Sequence, residues 1–443
     1  MPLPRVIGLP GAVLLGLGSV VGTGVFVSIG LAVGIAGPAV LLAILFAAAL
    51  ALCNGLSSAQ LAAVHPTSGG TYEYGYRELT PALGFTAGWM FLCAKTASAA
   101  TAALGFAGYV LEGIGGEGRI PRIAIAVGVV IGMTTLVAGG MKRSNRVNAV
   151  IVVATIAALI AFVAASAPVV LSHPERLAAP DIRLRDLLHA TALVFVAFTG
   201  YARIATLGEE VREPRRTIPR AIGITVGVAM VLYLAVTVSA LGVLGPVDLA
   251  DAARDGAPLE VAAGVASGRA LRIAVAIGAA TAMLGVLLNL LLGLSRVVLA
   301  MSRRHDLPAR FVHIGGDTPR PAAVFAGVTV GIVVLVGDIR TTWSFSAFAV
   351  LIYYAITNLA ALRLDPFRRR LPPWIAVVGL IGCAGLAFWI DPEIWLVGTG
   401  AIAIGLSFHV YRRRRREIAQ ATFQPPSTSN TDPVVNDAAS DSK

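Results

Sequence analysis

The feature that most constrains this chain is the recurrence of apolar stretches of about 20 residues, separated by short polar connections. A hydrocarbon core about 30 Å thick takes that length of helix to cross. Water is absent there, so every backbone N–H and C=O must be satisfied inside the crossing segment, and long apolar runs read as helices. Twelve crossings are expected: Leu9 to Ile35, Pro38 to Ala59, Leu83 to Leu111, Ile120 to Gly140, Val147 to Ala167, Leu187 to Leu207, Ile218 to Leu244, Leu271 to Met301, Ala322 to Val336, Trp343 to Leu362, Trp374 to Ile390 and Ile394 to Tyr411. The composition agrees, with 56% hydrophobic and 13% charged residues, against about a quarter charged in soluble domains. The first stretch is too long for a signal segment and lacks a small-residue cleavage site, so it is expected to remain as a helix.

The charge pattern sets the orientation. With twelve crossings both termini share a side, and the connections on that side carry 22 Lys and Arg residues, including Lys142, Arg143, Arg215, Arg216 and Arg412 to Arg416, against 9 on the other. The positive-inside rule makes both termini cytoplasmic, in a plasma membrane. The net charge of +11 is spread over alternating connections instead of lining one groove; nucleic acid is therefore not an expected partner, whereas lipid headgroups beside Arg412 to Arg416 are. The tail from Glu417 to Lys443 is polar and is expected to be disordered. Cys53, Cys93 and Cys383 lie in apolar stretches without metal-ligand spacing and read as core residues. No cofactor or metal is expected.

The first stretch contains GLGSVVGTGVF, with glycines at 16, 18, 22 and 24. Each costs a helix interior about 1 kcal/mol relative to alanine, so a cluster ending in Gly22-Thr23-Gly24 marks an interruption, with close packing of helices as the plain alternative. An interrupted helix exposes backbone groups at membrane depth, tolerated only where they line a cavity or meet a ligand. Amides starting the second half, near Val25, suit a carboxylate, and carbonyls ending the first half, near Val20, suit an ammonium. One break can thus read both ends of an amino acid. The sixth stretch, FVAFTGYARIATLGEEV, carries Gly200 between Thr199 and Tyr201 and reads as a second break.

Four segments carry a resemblance: GSVVGTGVF, GGTYEYGY from Gly69 to Tyr76, FTGY from Phe198 to Tyr201, and GEEVREPRRTIPRAI from Gly208 to Ile222. Together they are similar to the amino acid-polyamine-organocation permease superfamily. The resemblance implies an all-α integral membrane protein of the leucine-transporter-like fold. Its inverted five-helix repeats would fall at 1–167 and 168–365, with two trailing helices at 366–411 and a basic, then disordered tail at 412–443. It implies alternating access and a substrate site at Val20, Gly22, Thr23, Gly24, Val196, Phe198, Thr199, Gly200 and Tyr201. The carboxylate would meet amides at Thr23 and Gly24, the ammonium would meet carbonyls at Val20, Val196 and Thr199, and Phe198 or Tyr201 would serve as an aromatic gate or simply pack.

Departures from the pattern matter as much. Ala202 and Arg203 stand where many relatives place an acid, and Thr155 stands in the fifth stretch where some carry a lysine. Lys95 instead lies about a dozen residues into the third stretch, at a depth where a charge must face the protein interior or a wet cavity. It is the candidate for coupling protonation to transport, the alternative being a structural lysine bonded to broken-helix carbonyls. Glu209, Glu210 and Arg212 form a candidate inner gate or a solvated helix end. Thr281 and Asn289 are the mid-span polar residues of the eighth stretch, without a convincing sodium site between them.

The expected function is gradient-driven transport of amino acids. No acid lines the proposed pocket, which favours a neutral amino acid over a cationic amino acid or polyamine; an exchanger is the alternative mode. No phosphate-binding loop argues for ATP. A membrane-embedded enzyme is the rival from another class, but neither H-E-x-x-H nor G-x-S-x-G occurs. A channel would call for polar pore-lining spans.

Overall fold

The computed structural model describes residues 7–65, 69–140, 145–179, 182–205, 211–313 and 319–423. Sixteen α-helices follow one another: α1 (Leu9–Val20), α2 (Ile29–Ala36), α3 (Val40–Val64), α4 (Thr71–Glu78), α5 (Pro81–Ile114), α6 (Arg119–Ala138), α7 (Asn145–Ser172), α8 (Leu184–Phe198), α9 (Ala202–Ala205), α10 (Pro214–Leu244), α11 (Pro246–Asp255), α12 (Pro258–Arg303), α13 (Arg320–Val336), α14 (Ile339–Arg363), α15 (Pro373–Ala387) and α16 (Pro392–Phe423). Among the described residues nine helical segments are long and apolar enough to cross a membrane, and two shorter apolar helices, α13 and α15, accompany them. The protein is an all-helical, multi-pass membrane protein.

Burial sorts the helices. In α5, α14 and the α8–α9 pair, 78% of the most apolar window is buried, against 17% in α6 and α16. The first group is therefore the interior, and the second turns leucine, valine and isoleucine outward, as lipid contact requires. Where α5 meets α14 the seam is hydroxyl to hydroxyl, Ser98 to Ser346 at 2.6 Å and Thr101 to Thr342 at 2.8 Å. Small polar residues let the backbones approach, and such pairs contribute about 0.6 kcal/mol each on average in membranes. A second buried knot ties three helices: Asn358 donates to Asn54 at 2.6 Å, and Asn54 to the Cys383 sulfur at 3.1 Å.

One boundary agrees with the sequence reading, the start of the eighth crossing near Leu271, and one differs. The 46 residues of α12 would span about 69 Å, over twice the hydrocarbon thickness. Ser267 and Gly268 break it, Gly268 with φ +76°, and the crossing helix begins after them. At the other end α16 does not stop at Tyr411 but carries the basic run on to Phe423. Arginine, glutamate and alanine are good helix formers, and no proline intervenes before Pro425.

The GGTYEYGY segment becomes α4, a clamp between helix ends on the face that holds the N-terminal segment. Tyr72 and Tyr76 both donate to Asp306 Oδ2, at 2.6 and 2.7 Å, and His409 Nδ1 of α16 lies 3.4 Å from Asp306 Oδ1. Glu73 takes a forked pair from Arg304, at 2.8 and 2.6 Å, and this carboxylate pushes the guanidinium up from its ordinary value. Burial, reinforced by Asp306, holds both phenols well above their ordinary range, so they remain donors. Asp306→Ala strips the acceptor from the buried Tyr72 and the half-buried Tyr76 and is expected to cost on the order of 2–4 kcal/mol, against about 1 for Tyr76→Phe. Thermal unfolding of the purified variants checks this, and equal losses would remove Asp306 from the centre of the clamp.

Candidate functional site

The first span is broken where its glycines cluster. α1 ends at Val20, Val21 is extended (φ −77°, ψ 106°), and the chain resumes through a π-helical turn, Gly24–Ser28, into α2. The amides of Val25 and Phe26 both return to the Gly22 carbonyl, at 3.1 and 3.2 Å. The sixth span is interrupted as well, though without leaving the helical region: α8 ends at Phe198, Thr199–Tyr201 forms a tight 3-10 turn, and α9 follows directly at Ala202.

The two breaks meet. A Cβ on Gly200 would run into the Ser19 carbonyl and the Val20 amide, and one on Gly24 would lie 2.5 Å from the Ala197 Cβ and 2.8 Å from its Cα. Only glycine at these two positions permits backbone to touch backbone. From the other side Val286 of α12 closes on Gly22. The glycine pattern is thus explained by contact between interruptions, which sequence spacing could raise but not decide.

Hydroxyls satisfy the carbonyls left by the breaks. Tyr233 of α10 donates towards the Val20 carbonyl at 2.8 Å and the Ala197 carbonyl at 3.1 Å. Thr199 Oγ1 donates to Val196 at 2.8 Å, Tyr109 to Phe26 at 2.9 Å, Ser28 to Gly24 at 2.5 Å, and Tyr354 reaches the Thr199 carbonyl at 3.5 Å. Leaving such an acceptor unpaired in an apolar medium costs several kcal/mol. Thr23 differs: its side chain is buried, and its hydroxyl has no partner.

Of the other sequence candidates, Phe198 is fully buried with its ring 5.0 Å from that of Tyr233, on the side of the breaks. Tyr201 packs on Tyr354 at 5.6 Å and beside Gly55 of α3. Lys95 extends from α5 to place Nζ 3.3 Å from Thr199 Oγ1 and 5.9 Å from the Phe91 ring centre; among the described residues no carboxylate pairs with it. Thr155 is buried with an unpartnered hydroxyl. Arg212 donates its backbone N–H to Ile7 at 2.9 Å, tying the segment before α10 to the start of the first span, while Glu209 and Glu210 lie outside the described residues. A cavity of about 480 Å³ opens on the opposite face, floored by Gly30, Leu104 and Leu193 and rimmed by arginines that include Arg119 and Arg340. Its size is within the range of small-molecule pockets.

A family model described as amino acid permease matches residues 7–408, with both breaks inside it. The chain belongs to the amino acid permease family. Relatives of this permease include an uncharacterized transporter of Mycobacterium tuberculosis, 42% identical over 414 residues that cover 93% of this chain and 92% of the relative. A branched-chain amino acid permease of Bacillus subtilis is 30% identical over 344 residues, 73% of each chain. A methylthioribose transporter of the same organism is 27% identical over 434 residues, 90% of this chain and 92% of the relative.

Sequence reasoning missed Tyr233, Tyr354 and Tyr109 in this permease. Each is a polar-tipped aromatic inside an apolar span, the one local signal that could have found it, since a buried phenol needs a partner. Gly200→Ala and Gly24→Ala are each expected to lower uptake more than tenfold, because the backbones must separate, whereas Gly128→Ala and Gly132→Ala, which face open space, leave it unchanged. Uptake normalised to the amount of folded protein checks this; equal effects in both pairs would refute the contact argument.

Proposed function

We propose that this permease is a secondary active carrier that moves amino acids across the plasma membrane by alternating access. The observation that carries the reading is the contact of two helix interruptions at Gly24 and Gly200 within the buried interior. Converging half-helix ends offer amides to an anion and carbonyls to a cation, which is the charge pattern of a zwitterion. The carboxylate is assigned to the amides around Gly22, Thr23 and Gly24, where the unpartnered Thr23 hydroxyl adds a donor. The ammonium is assigned to the carbonyls of Val20, Val196 and Thr199, sharing acceptors that each have two lone pairs. Phe198 and Gly200 complete the contact surface, and Tyr201 supports it from behind.

The architecture that goes with this reading has twelve crossings. It comprises five-helix repeats at 1–167 and 168–365, two trailing helices at 366–411 and a cytoplasmic tail at 412–443, with both termini cytoplasmic. The leading position of the broken spans in each set of five supports it, as does the basic bias of the connections.

A neutral amino acid is the assigned substrate class. The similarity to a branched-chain amino acid permease supports this. Lys95 stands 3.3 Å from Thr199 Oγ1 and no carboxylate pairs with it among the described residues, so nothing acidic is supplied there to neutralise a cationic side chain. That placement also supports Lys95 as the coupling group, a titratable cation one hydrogen bond from the sixth-span break. Exchange of one amino acid for another is the alternative mode.

Proteoliposomes with imposed proton or sodium gradients test the function. Saturable uptake of leucine, valine or alanine is expected, with arginine and putrescine neither transported nor competing at tenfold excess; failure of every amino acid to bind or move would refute the carrier assignment. Lys95→Met is expected to remove the dependence of uptake on pH. Retention of the wild-type profile by that variant would exclude Lys95 as the coupling group.

A further inference from the structure

On the face opposite the N-terminal segment, α11 and the first nine residues of α12 form a helical hairpin, and the crossing part of α12 starts only after the break at Ser267 and Gly268. The hairpin sits on the outer half of the first span. A Cβ on Gly30 would lie 2.5 Å from Ala253 and 3.3 Å from Pro258, and one on Gly256 would lie 3.6 Å from the Gly108 Cα of α5. Lifting the hairpin would therefore uncover α2 and the end of α5.

Glu260, in its second arm, is 1% exposed. One carboxylate oxygen accepts from Arg272 Nε at 3.1 Å, and the other is buried without a hydrogen-bond partner. Arg272 is shared, its Nη2 donating to the Glu112 carboxylate at 2.8 Å and to the Glu112 carbonyl at 2.9 Å. Tyr109 of α5 is the further titratable group that feels the charge of Glu260. Two carboxylates thus divide one guanidinium, and the more buried of them keeps an oxygen without a donor. A buried carboxylate with incomplete pairing is stabilised by taking up a proton. Burial pushes the Glu260 carboxyl up, and Arg272 draws it only partly back.

We propose that Glu260 is a proton-binding site that latches the α11–α12 hairpin onto the outer half of the broken first helix. Its use in transport rests on the carrier reading; its existence does not. With the hairpin seated, Glu260 is dry and holds the proton; with it lifted, the carboxyl meets water and releases it to the outer side. The seated form has the higher proton affinity, so acid favours seating and rising pH favours lifting. One proton limits the linkage to tenfold per pH unit at most.

Hydrogen–deuterium exchange of residues 246–266 in the lipid-reconstituted full chain, corrected for intrinsic pH dependence, reads the latch directly. Protection in the wild type is expected to fall with rising pH between pH 5 and 8, by up to about tenfold per unit. Glu260→Gln, an uncharged likeness of the protonated acid, is expected to hold the acid-side protection across the range, and Glu260→Asp to keep a pH slope. A flat wild-type profile overturns the proposal, as does a Glu260→Gln slope equal to the wild type. The measurement needs no substrate, so loss of all transport with the pH slope intact would defeat the carrier reading and leave the proton site standing.

Discussion

A helix interrupted inside hydrocarbon leaves backbone donors and acceptors that water cannot reach, and the interior of this protein is organised around giving them partners. The breaks after Val20 and Phe198 lie against one another because Gly200 has no Cβ to hold it off Ser19 and Val20, and Gly24 has none to hold it off Ala197. Once they touch, the surrounding helices must supply hydroxyls. Tyr233 of α10, Tyr109 of α5 and Tyr354 of α14 do so, and Thr199 and Ser28 add theirs from within the interrupted spans.

In the proposed site the same arrangement would join stability to binding. Carbonyls that accept from tyrosine and threonine have a second lone pair each, and amides at the start of a half-helix carry partial positive charge. A zwitterion can enter such a site without the protein spending a formal charge on it. Lys95 is the exception, a cation one hydrogen bond from Thr199 that brings a formal charge to the sixth-span interruption.

Charged groups elsewhere gather at the two faces. Glu73, Arg304, Asp306 and His409 tie α4, α12 and α16 together on one, and Glu112, Glu260 and Arg272 tie the hairpin to α5 on the other. Between them the interior is held by small residues and hydroxyl pairs, which bring helices close without a desolvated ion pair. This division leaves the middle apolar enough for the membrane and the ends polar enough to be specific.

Much of this was legible in the residues taken in order. Apolar runs of span length predicted helices because hydrocarbon admits no unpaired backbone, and Gly22-Thr23-Gly24 and Thr199-Gly200-Tyr201 predicted interruptions because glycine weakens a helix locally. The basic run Arg412 to Arg416 continued as helix because the end of a span does not by itself end a helix. What spacing could not supply were partners far apart in the chain: Tyr233 is 213 residues from Val20, Lys95 is 104 from Thr199, and Tyr72 is 234 from Asp306. The sequence by itself therefore determined that this chain lies in a membrane as helices and where two of them break, since those are local demands of backbone and solvent. Only the tertiary structure decided that the breaks face each other, that Tyr233 serves both, and that Tyr201 packs on Tyr354, because those outcomes depend on which surfaces fit when helices distant in sequence are brought together.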